Sequence, residues 1–248
     1  VDAKVPDGEV ALRLSGTASA GIALWNRLPL AEDADFSPDP AKAAGDLTAD
    51  LSIRLPLAEE IADTDIVYGG RIDLTGFAPG TPINGRSVTR GNLAIELRDG
   101  AAHLSGKAQI DGAPADVFLT LPLSGDGETK SVVKLDLDAA AAKSYGLDLG
   151  DMLDGSVSVE MTDTGVSRRV SVNLAKAEIN LPLVGFRKPA GKPGTLAFDM
   201  VAGPSGTSIS NIALKAGSAE VEGQISLNGD GDFVGANLTK FNFSPADR

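Results

Sequence analysis

The chain has 248 residues, of which 42% are hydrophobic and 23% are charged, as is typical of an ordered chain long enough for one large domain or two small ones. It has no cysteine and a single histidine, which excludes disulfides, a cysteine nucleophile, cysteine-ligated zinc, iron–sulfur clusters and a histidine metal cage. The formal net charge of −12 repels phosphate backbones, so nucleic acid is not an expected partner.

Alternation of apolar and polar residues is the dominant pattern along the chain, and it predicts β-strands. The cleanest run covers residues 46–55, where one face would carry Leu47, Ala49, Leu51, Ile53 and Leu55. The same alternation recurs, in chain order, over residues 92–98, 133–138, 156–161, 169–174 and 221–227. In all, roughly thirteen or fourteen segments qualify as candidate strands.

Short turn signals separate these runs. Asp99-Gly100, Asp111-Gly112 and the segment 228–231 (Asn-Gly-Asp-Gly) are of the kind that tolerates positive φ and closes tight hairpins. The chain holds 29 glycines and 14 prolines, more than a typical domain, which also favours many turns. Strands at short spacing joined by such turns predict an antiparallel meander.

Helix is predicted at only a few places. Ser19–Leu28 places Ile22, Trp25 and Leu28 on one face, and residues 38–44 suit a single turn. Asp138–Tyr145 is the strongest candidate, because Asp138 suits an N-cap, alanine has the highest helix propensity, and Gly146 suits the C′ position.

The tripeptide Leu-Pro-Leu occurs four times, at residues 28–30, 55–57, 121–123 and 181–183. In the last three it would end a strand, because proline cannot donate to the strand ladder. The spacing suggests a degenerate repeat of about sixty residues. No linker separates the parts, so we predict one continuous segment over residues 1–248, with possible repeat units at 45–123 and 124–248.

No motif carries recognisable catalytic or metal chemistry. His103 has no local acid or nucleophile beside it, so a structural or surface role is expected. The segment 228–232 (Asn-Gly-Asp-Gly-Asp) lacks the glycine and glutamate positions of an EF-hand and is interpreted as a turn. Residues 188–194 lack the spacing of a P-loop. Paired carboxylates of the glycosidase type are possible in principle, but no pair among 34 acidic residues stands out.

The alternating apolar face itself allows two interpretations. It can be half of a closed β-sandwich core, where two such faces pack together. It can also line a groove open to acyl chains, since a large exposed apolar surface normally marks a ligand or membrane site. Alternation alone does not separate the two.

Four blocks of sequence carry a family resemblance: residues 45–57 (GDLTADLSIRLPL), 68–76 (YGGRIDLTG), 104–115 (LSGKAQIDGAPA) and 177–194 (AEINLPLVGFRKPAGKPG). They resemble the central region of the large AsmA-like proteins of Gram-negative bacteria, of the YhdP type in particular. In that family a strand ending in Leu-Pro is often followed by Gly-aromatic-x-Lys-Pro-x-Gly. Phe186 stands here where many relatives have tryptophan. The resemblance spans about residues 45 to 243, and the first forty residues match loosely.

The resemblance implies a repeating β-groove protein anchored in the inner membrane and reaching across the periplasm, where it moves phospholipid toward the outer membrane. No catalytic residues are known in that family, so the resemblance implies none here, and we predict no metal and no cofactor. The chain begins at Val1 without an initiator methionine or signal peptide. We therefore expect an internal piece, whose membrane contacts are made by other parts of the full-length protein.

The predicted fold is mainly β: a long twisted antiparallel sheet curled into an open apolar groove, with one or two short helices. The predicted function is binding and conduction of phospholipid acyl chains, without catalysis. The groove would be lined by Leu47, Leu51, Ile53, Leu93, Ile95, Val133, Leu135, Val157, Val159, Val170, Val172, Ile225 and Leu227. A closed β-sandwich serving as a structural or interaction module of the cell envelope is the alternative, and a carbohydrate-active enzyme is a third possibility.

Overall fold

The fold was analysed in a computed structural model, which describes residues 6–27, 38–58, 60–62, 65–123, 127–145, 150–182, 185–204 and 206–243. Strands account for 67% of the structure, so the prediction of a mainly β, open antiparallel fold with few short helices is confirmed. The chain divides into two compact units, residues 1–130 (unit 1) and 131–248 (unit 2). The predicted Gly146 C-cap, the tripeptide at 28–30 and the loop at 124–126 lie outside the described residues.

Unit 1 is an antiparallel meander in which each strand pairs with the next along the chain. Its strands are β1 (Asp7–Thr17), β2 (Ala44–Pro56), β3 (Val67–Ala78), β4 (Val88–Arg98), β5 (Ala101–Ile110) and β6 (Ala113–Pro122). Helix α1 (Ala18–Trp25) and a 3₁₀ turn (Pro40–Lys42) lie between β1 and β2.

The antiparallel strands of unit 2 follow the order β7, β8, β9, β12, β13, β14, β15. These strands are β7 (Lys130–Asp138), β8 (Leu153–Asp163), β9 (Arg168–Asn173), β12 (Gly194–Gly203), β13 (Gly206–Ala216), β14 (Ala219–Leu227) and β15 (Phe233–Asn242). A small hairpin of β10 (Ala177–Leu181) and β11 (Phe186–Lys188) interrupts the meander and pairs with the start of β8. Helix α2 (Ala139–Ser144) and a 3₁₀ turn (Gly150–Met152) connect β7 to β8.

Both predicted helices are present, and each begins at a side-chain cap. The Thr17 hydroxyl accepts a hydrogen bond from the Ala20 amide at 3.2 Å, and the Asp138 carboxylate accepts one from the Ala141 amide at 2.7 Å. Such caps satisfy amides that have no partner within the helix. Helix α1 ends at Trp25, earlier than the predicted Leu28, and the expected turn over residues 38–44 is the 3₁₀ turn Pro40–Lys42.

The predicted turns connect the strands as expected. Asp99-Gly100 and Asp111-Gly112 form two-residue hairpins, with φ of +54° and +71° in the first and +48° and +85° in the second. Two positive φ values in succession match the twist of an antiparallel pair, which explains the preference for Asp-Gly. Strands β2 and β6 end at Pro56 and Pro122, and β10 ends at Leu181, as the Leu-Pro pattern predicts.

Candidate functional site

Register places the predicted lining residues of each unit on one face of its sheet, because residues directly opposite each other in an antiparallel pair share a face. In unit 1, Leu47 is opposite Leu74, which is in turn opposite Leu93. In unit 2, Leu135 is opposite Val159, which is opposite Val172. The residues that alternation places on one face of each strand are therefore neighbours on one face of the sheet. Their role in lining a groove stays a prediction.

The apolar face of unit 1 is built from rows of aliphatic residues that cross all six strands. The central row contains Leu14, Ala49, Ile72, Ile95, Leu104 and Leu119. The row on one side contains Gly16, Leu47, Leu74, Leu93, Gly106 and Val117. The row on the other side contains Leu12, Leu51, Gly70, Leu97, Ala102 and Leu121.

The larger side chains are most buried in the row of Leu74 and least buried in the row of Leu12, although Ala49 in the central row is only 4% exposed. Leu74 and Leu93 are 9% and 8% exposed, whereas Leu12 and Leu121, two rows away, are both 40% exposed. The buried row is covered by α1, whose Ala18 and Ile22 pack with Leu74, Phe77 and Leu93. We call this covered part the closed end of unit 1, and the rows of Leu14 and Leu12 its open band.

Unit 2 repeats this organisation with different residues. One row runs across seven strands through Leu135, Val159, Val172, Leu196, Leu214, Val221 and Phe241. Toward the far ends of β12 to β15 a second row contains Met200, Ile209, Ile225 and Ala236. Ile225 and Leu227 are half-buried there, and Phe233 opposite Leu227 is 66% exposed. We call this second row and the pair Leu227–Phe233 the open band of unit 2.

The closed end of unit 2 lies at the opposite end of the strands from the row of Met200. The side chains of Leu174, Ala177, Ala216 and Ala219 are at most 7% exposed there. The β10–β11 hairpin covers this end. A side chain built at Gly194 would contact the Lys188 side chain of β11, Leu174 and Ala216, so the hairpin lies directly against the sheet. Phe186 of β11 is 5% exposed and packs edge-on against Phe243, with 5.5 Å between ring centroids.

The opposite face of unit 1 is polar and carries the ion pairs between its strands. Arg13 pairs with Asp50 at 2.6 Å, and Arg71 bridges Asp73 at 2.8 Å and Glu96 at 3.1 Å. The hydrogen bond from Arg71 lowers the pKa of Asp73 against a smaller opposing effect of burial. The strands of this sheet are thus largely aliphatic on one side and polar or charged on the other.

Polar residues singled out in the sequence have structural roles. His103 lies on the polar face with Nδ1 3.2 Å from the Thr120 hydroxyl. Asn228 closes the loop before β15, accepting hydrogen bonds from the Asp230 and Asp232 amides at 3.0 and 2.8 Å. In the part of the chain that the structure describes, no three His, Cys, Asp or Glu residues are placed to hold a metal ion. No helix in that part is long and apolar enough to cross a bilayer.

Two parts of the site were missed by the sequence reasoning. The open band also includes residues of β1, β5 and β6, such as Leu12, Leu104 and Leu119, whose strands alternate less cleanly than β2. The same period-2 pattern would have found them. Burial of Lys188 had no signal in the sequence, because a lysine is normally expected at the surface.

Comparison with known proteins gives no neighbour for this arrangement: no protein-family model, no curated protein and no solved structure matches the chain.

Proposed function

We propose that the chain binds phospholipid acyl chains on the open bands of its apolar face and is a segment of a periplasmic, inner-membrane-anchored protein of the AsmA-like type. The observation that carries the proposal is the set of aliphatic rows crossing six strands, in which Leu51 and Leu97 are only half-buried and Leu12 and Leu121 are 40% exposed. Monomeric soluble proteins rarely expose a contiguous apolar surface of this kind without a ligand for it.

The dimensions of the open band suit acyl chains. With neighbouring strands about 4.8 Å apart, the six strands of unit 1 provide a track about 24 Å long. Residues two apart along a strand are about 6.6 Å apart, so the rows of Leu14 and Leu12 lie about 6.6 Å apart, and Val10 and Ile53 extend the band to about 13 Å at β1 and β2. This wider part accommodates two acyl chains side by side.

The chemistry of the band suits movement more than tight capture. Its side chains are aliphatic, and the ion pairs described within and between the strands of unit 1 are all on the opposite face. A chain lying on the band gains about 0.8 kcal/mol for each buried CH₂, and it exchanges one such contact for another as it slides. A surface without directional polar contacts therefore binds lipid without holding it at one position.

The same proposal fixes the remaining functional assignments. The partner is a phospholipid or another acyl-chain lipid, and contacts with the membranes are made by parts of the full-length protein outside this chain. The role is passive conduction without catalysis or a cofactor. The charged face, rich in aspartate and arginine, stays hydrated in the periplasm.

Native mass spectrometry of the chain with and without phospholipid vesicles tests the proposal. Leu51→Asp places a charge in the open band, and Ser52→Asp places the same charge on the opposite face of β2, with both positions half-buried. We expect Leu51→Asp to abolish lipid binding, because a carboxylate within the acyl track must be desolvated. Ser52→Asp should bind lipid as the wild type does.

Circular dichroism of the two variants distinguishes the open band from a closed core. Both variants should keep the wild-type spectrum, since Leu51 is only half-buried. A chain that carries no lipid and unfolds on Leu51→Asp would instead have that face packed in a dry core. The alternative, a closed β-sandwich module of the cell envelope, would then be correct.

The alternative draws its support from the four predicted lining residues that are buried. Leu93, Leu135, Val157 and Val170 are between 4% and 8% exposed, as core residues are. In unit 1, however, Leu93 is covered by α1 at the closed end, whereas Leu51 and Ile95 are half-buried. Burial at a covered end is compatible with an open band beside it.

A further inference from the structure

A cleft of about 650 Å³ lies in unit 2, between the β10–β11 hairpin and the turn that joins β13 to β14. Four of its eleven lining residues are cationic and none is acidic; the cations are Arg187, Lys188, Lys192 and Lys215. The chain as a whole has 34 acidic and 22 basic residues, so this lining is opposite in charge to the protein.

The nearest carboxylates do not line the cleft, and they compensate only part of its positive charge. Glu178 accepts hydrogen bonds from Arg187 Nε and Nη2 at 3.0 and 2.7 Å, but it does not line the cleft. Glu220 is opposite Lys215 in the register and forms an ion pair with Lys240. Within the described part of the chain, the Lys192 ammonium forms no ion pair.

Lys188 is the most unusual of the four cations because it is only 2% exposed. Its Nζ donates to the carbonyl oxygens of Ala177 and Pro189 at 2.8 and 3.2 Å, which leaves one N–H of the ammonium for a ligand. Burial lowers the pKa of Lys188, as is expected for an ammonium that is removed from water without a carboxylate partner.

Arg187 is paired with Glu178, but the three lysines of the cleft repel one another, and the repulsion is strongest where protein replaces water. A bound anion removes this repulsion and supplies the acceptor that Lys188 lacks. Phosphate fits best, because it brings up to two negative charges and several acceptor oxygens for ammonium and guanidinium groups. The Thr195 hydroxyl, also in the lining, adds a neutral donor.

We propose that this cleft binds a phosphate group, carried either by free inorganic phosphate or by a lipid headgroup. The proposal rests on the charges of the cleft and does not depend on the binding of acyl chains to the open bands.

Isothermal titration calorimetry of the whole chain with inorganic phosphate at low ionic strength tests the site. The test variant carries Lys192→Gln and Lys215→Gln, two exposed positions whose neutralisation does not disturb the buried Lys188. The control carries Lys130→Gln and Lys176→Gln, which are also exposed, lie outside the cleft lining and give the same net charge. We expect the dissociation constant to rise about tenfold in the test variant and to change less than about twofold in the control.

A second titration, with dihexanoyl phosphatidic acid below its micellar concentration, separates the two sources of phosphate. Binding much tighter than that of inorganic phosphate assigns the site to a lipid headgroup, and equal affinities assign it to free phosphate. Leu51→Asp should leave the affinity for inorganic phosphate unchanged, so failure of the acyl-chain proposal is distinguishable from failure of this one. The proposal is overturned if the wild-type chain binds neither probe below about 10 mM, or if test and control variants lose affinity equally.

Discussion

The two units cover the ends of their apolar faces in different ways. Unit 1 uses helix α1, which places the neutral side chains of Ala18 and Ile22 on the sheet. Unit 2 uses the β10–β11 hairpin, which buries Phe186 together with the charged Lys188. Both covers come from chain inserted next to the strands they cover, between β1 and β2 in unit 1 and between β9 and β12 in unit 2.

The difference shows that covering one end of such a face needs only a local amphipathic insertion, whether helix or hairpin. It also shows that the cover can carry chemistry of its own. The helix closes unit 1 with apolar contacts alone, whereas the hairpin brings a cation into the interior of unit 2. Apolar substitutions test whether both covers bury apolar side chains against the sheet. The pH dependence of stability tests whether only the hairpin buries a cation.

The largest effect is expected from Phe186→Ala in the hairpin cover. Phe186 is 5% exposed and loses its contact with Phe243, so the free energy of unfolding should fall by about 3–5 kcal/mol in urea denaturation. Phe118→Ala is the matched control, because Phe118 is 45% exposed on the polar face of β6 and should cost well under half as much. Equal losses for the two variants would show that the hairpin does not close unit 2.

The helical cover should give a smaller loss. Ile22→Ala removes a side chain that is 7% exposed against Leu74 and Leu93, and we expect a cost of about 2–4 kcal/mol. Leu24→Ala, two residues along the same helix, is the control, since Leu24 is 49% exposed and its loss should stay near the cost of a surface substitution. A loss below about 1 kcal/mol for Ile22→Ala would contradict α1 as a cover.

The smallest effect is a pH dependence that only the hairpin cover should show. Burial lowers the pKa of Lys188 below its value in the unfolded chain, so the folded state is penalised while the lysine is charged. The penalty is relieved as pH rises from the folded pKa to the unfolded value of about 10.4. Unfolding free energies of the wild type relative to Lys188→Met should therefore rise across the alkaline range. A difference that stays flat or falls would contradict the burial of a charged Lys188.

Most of the fold could be predicted from the sequence because its signals are local. Alternation sets the face of each residue within a strand, Asp-Gly sets the hairpins, and Asp138 sets the start of α2. The exposure of each row could not be predicted, because it depends on which segment returns to cover the face. Leu93 and Leu97 share a face and a residue type, yet α1 covers Leu93 and leaves Leu97 half-buried.

The burial of Lys188 in the β10–β11 hairpin likewise could not be predicted from the sequence. The segment 188–194 could be excluded as a P-loop from its spacing, but the positions of Lys188 and Ala216 beside Gly194 are tertiary contacts. The face assignment of the thirteen predicted lining residues needed only period 2. The positive cleft needed Lys215 of β13 to meet Arg187, Lys188 and Lys192 of the hairpin segment, which is a contact between distant parts of the sequence.

Glycines within the strands fix the pairing register, which alternation alone leaves undetermined. Shifting the pairing of two strands by one residue would turn an apolar face outward. A shift of two residues keeps the apolar side chains on the same face, so alternation alone does not exclude it. Gly70 and Gly106 have φ of +126° and +150°, and a Cβ at either would overlap the carbonyl oxygen of Asp50 or Asn92 on the neighbouring strand. A two-residue slip would bring Ile72 or Leu104 into these positions, which only glycine fits. The glycines thus fix the register, so that strands with the same alternating pattern pair in one way only.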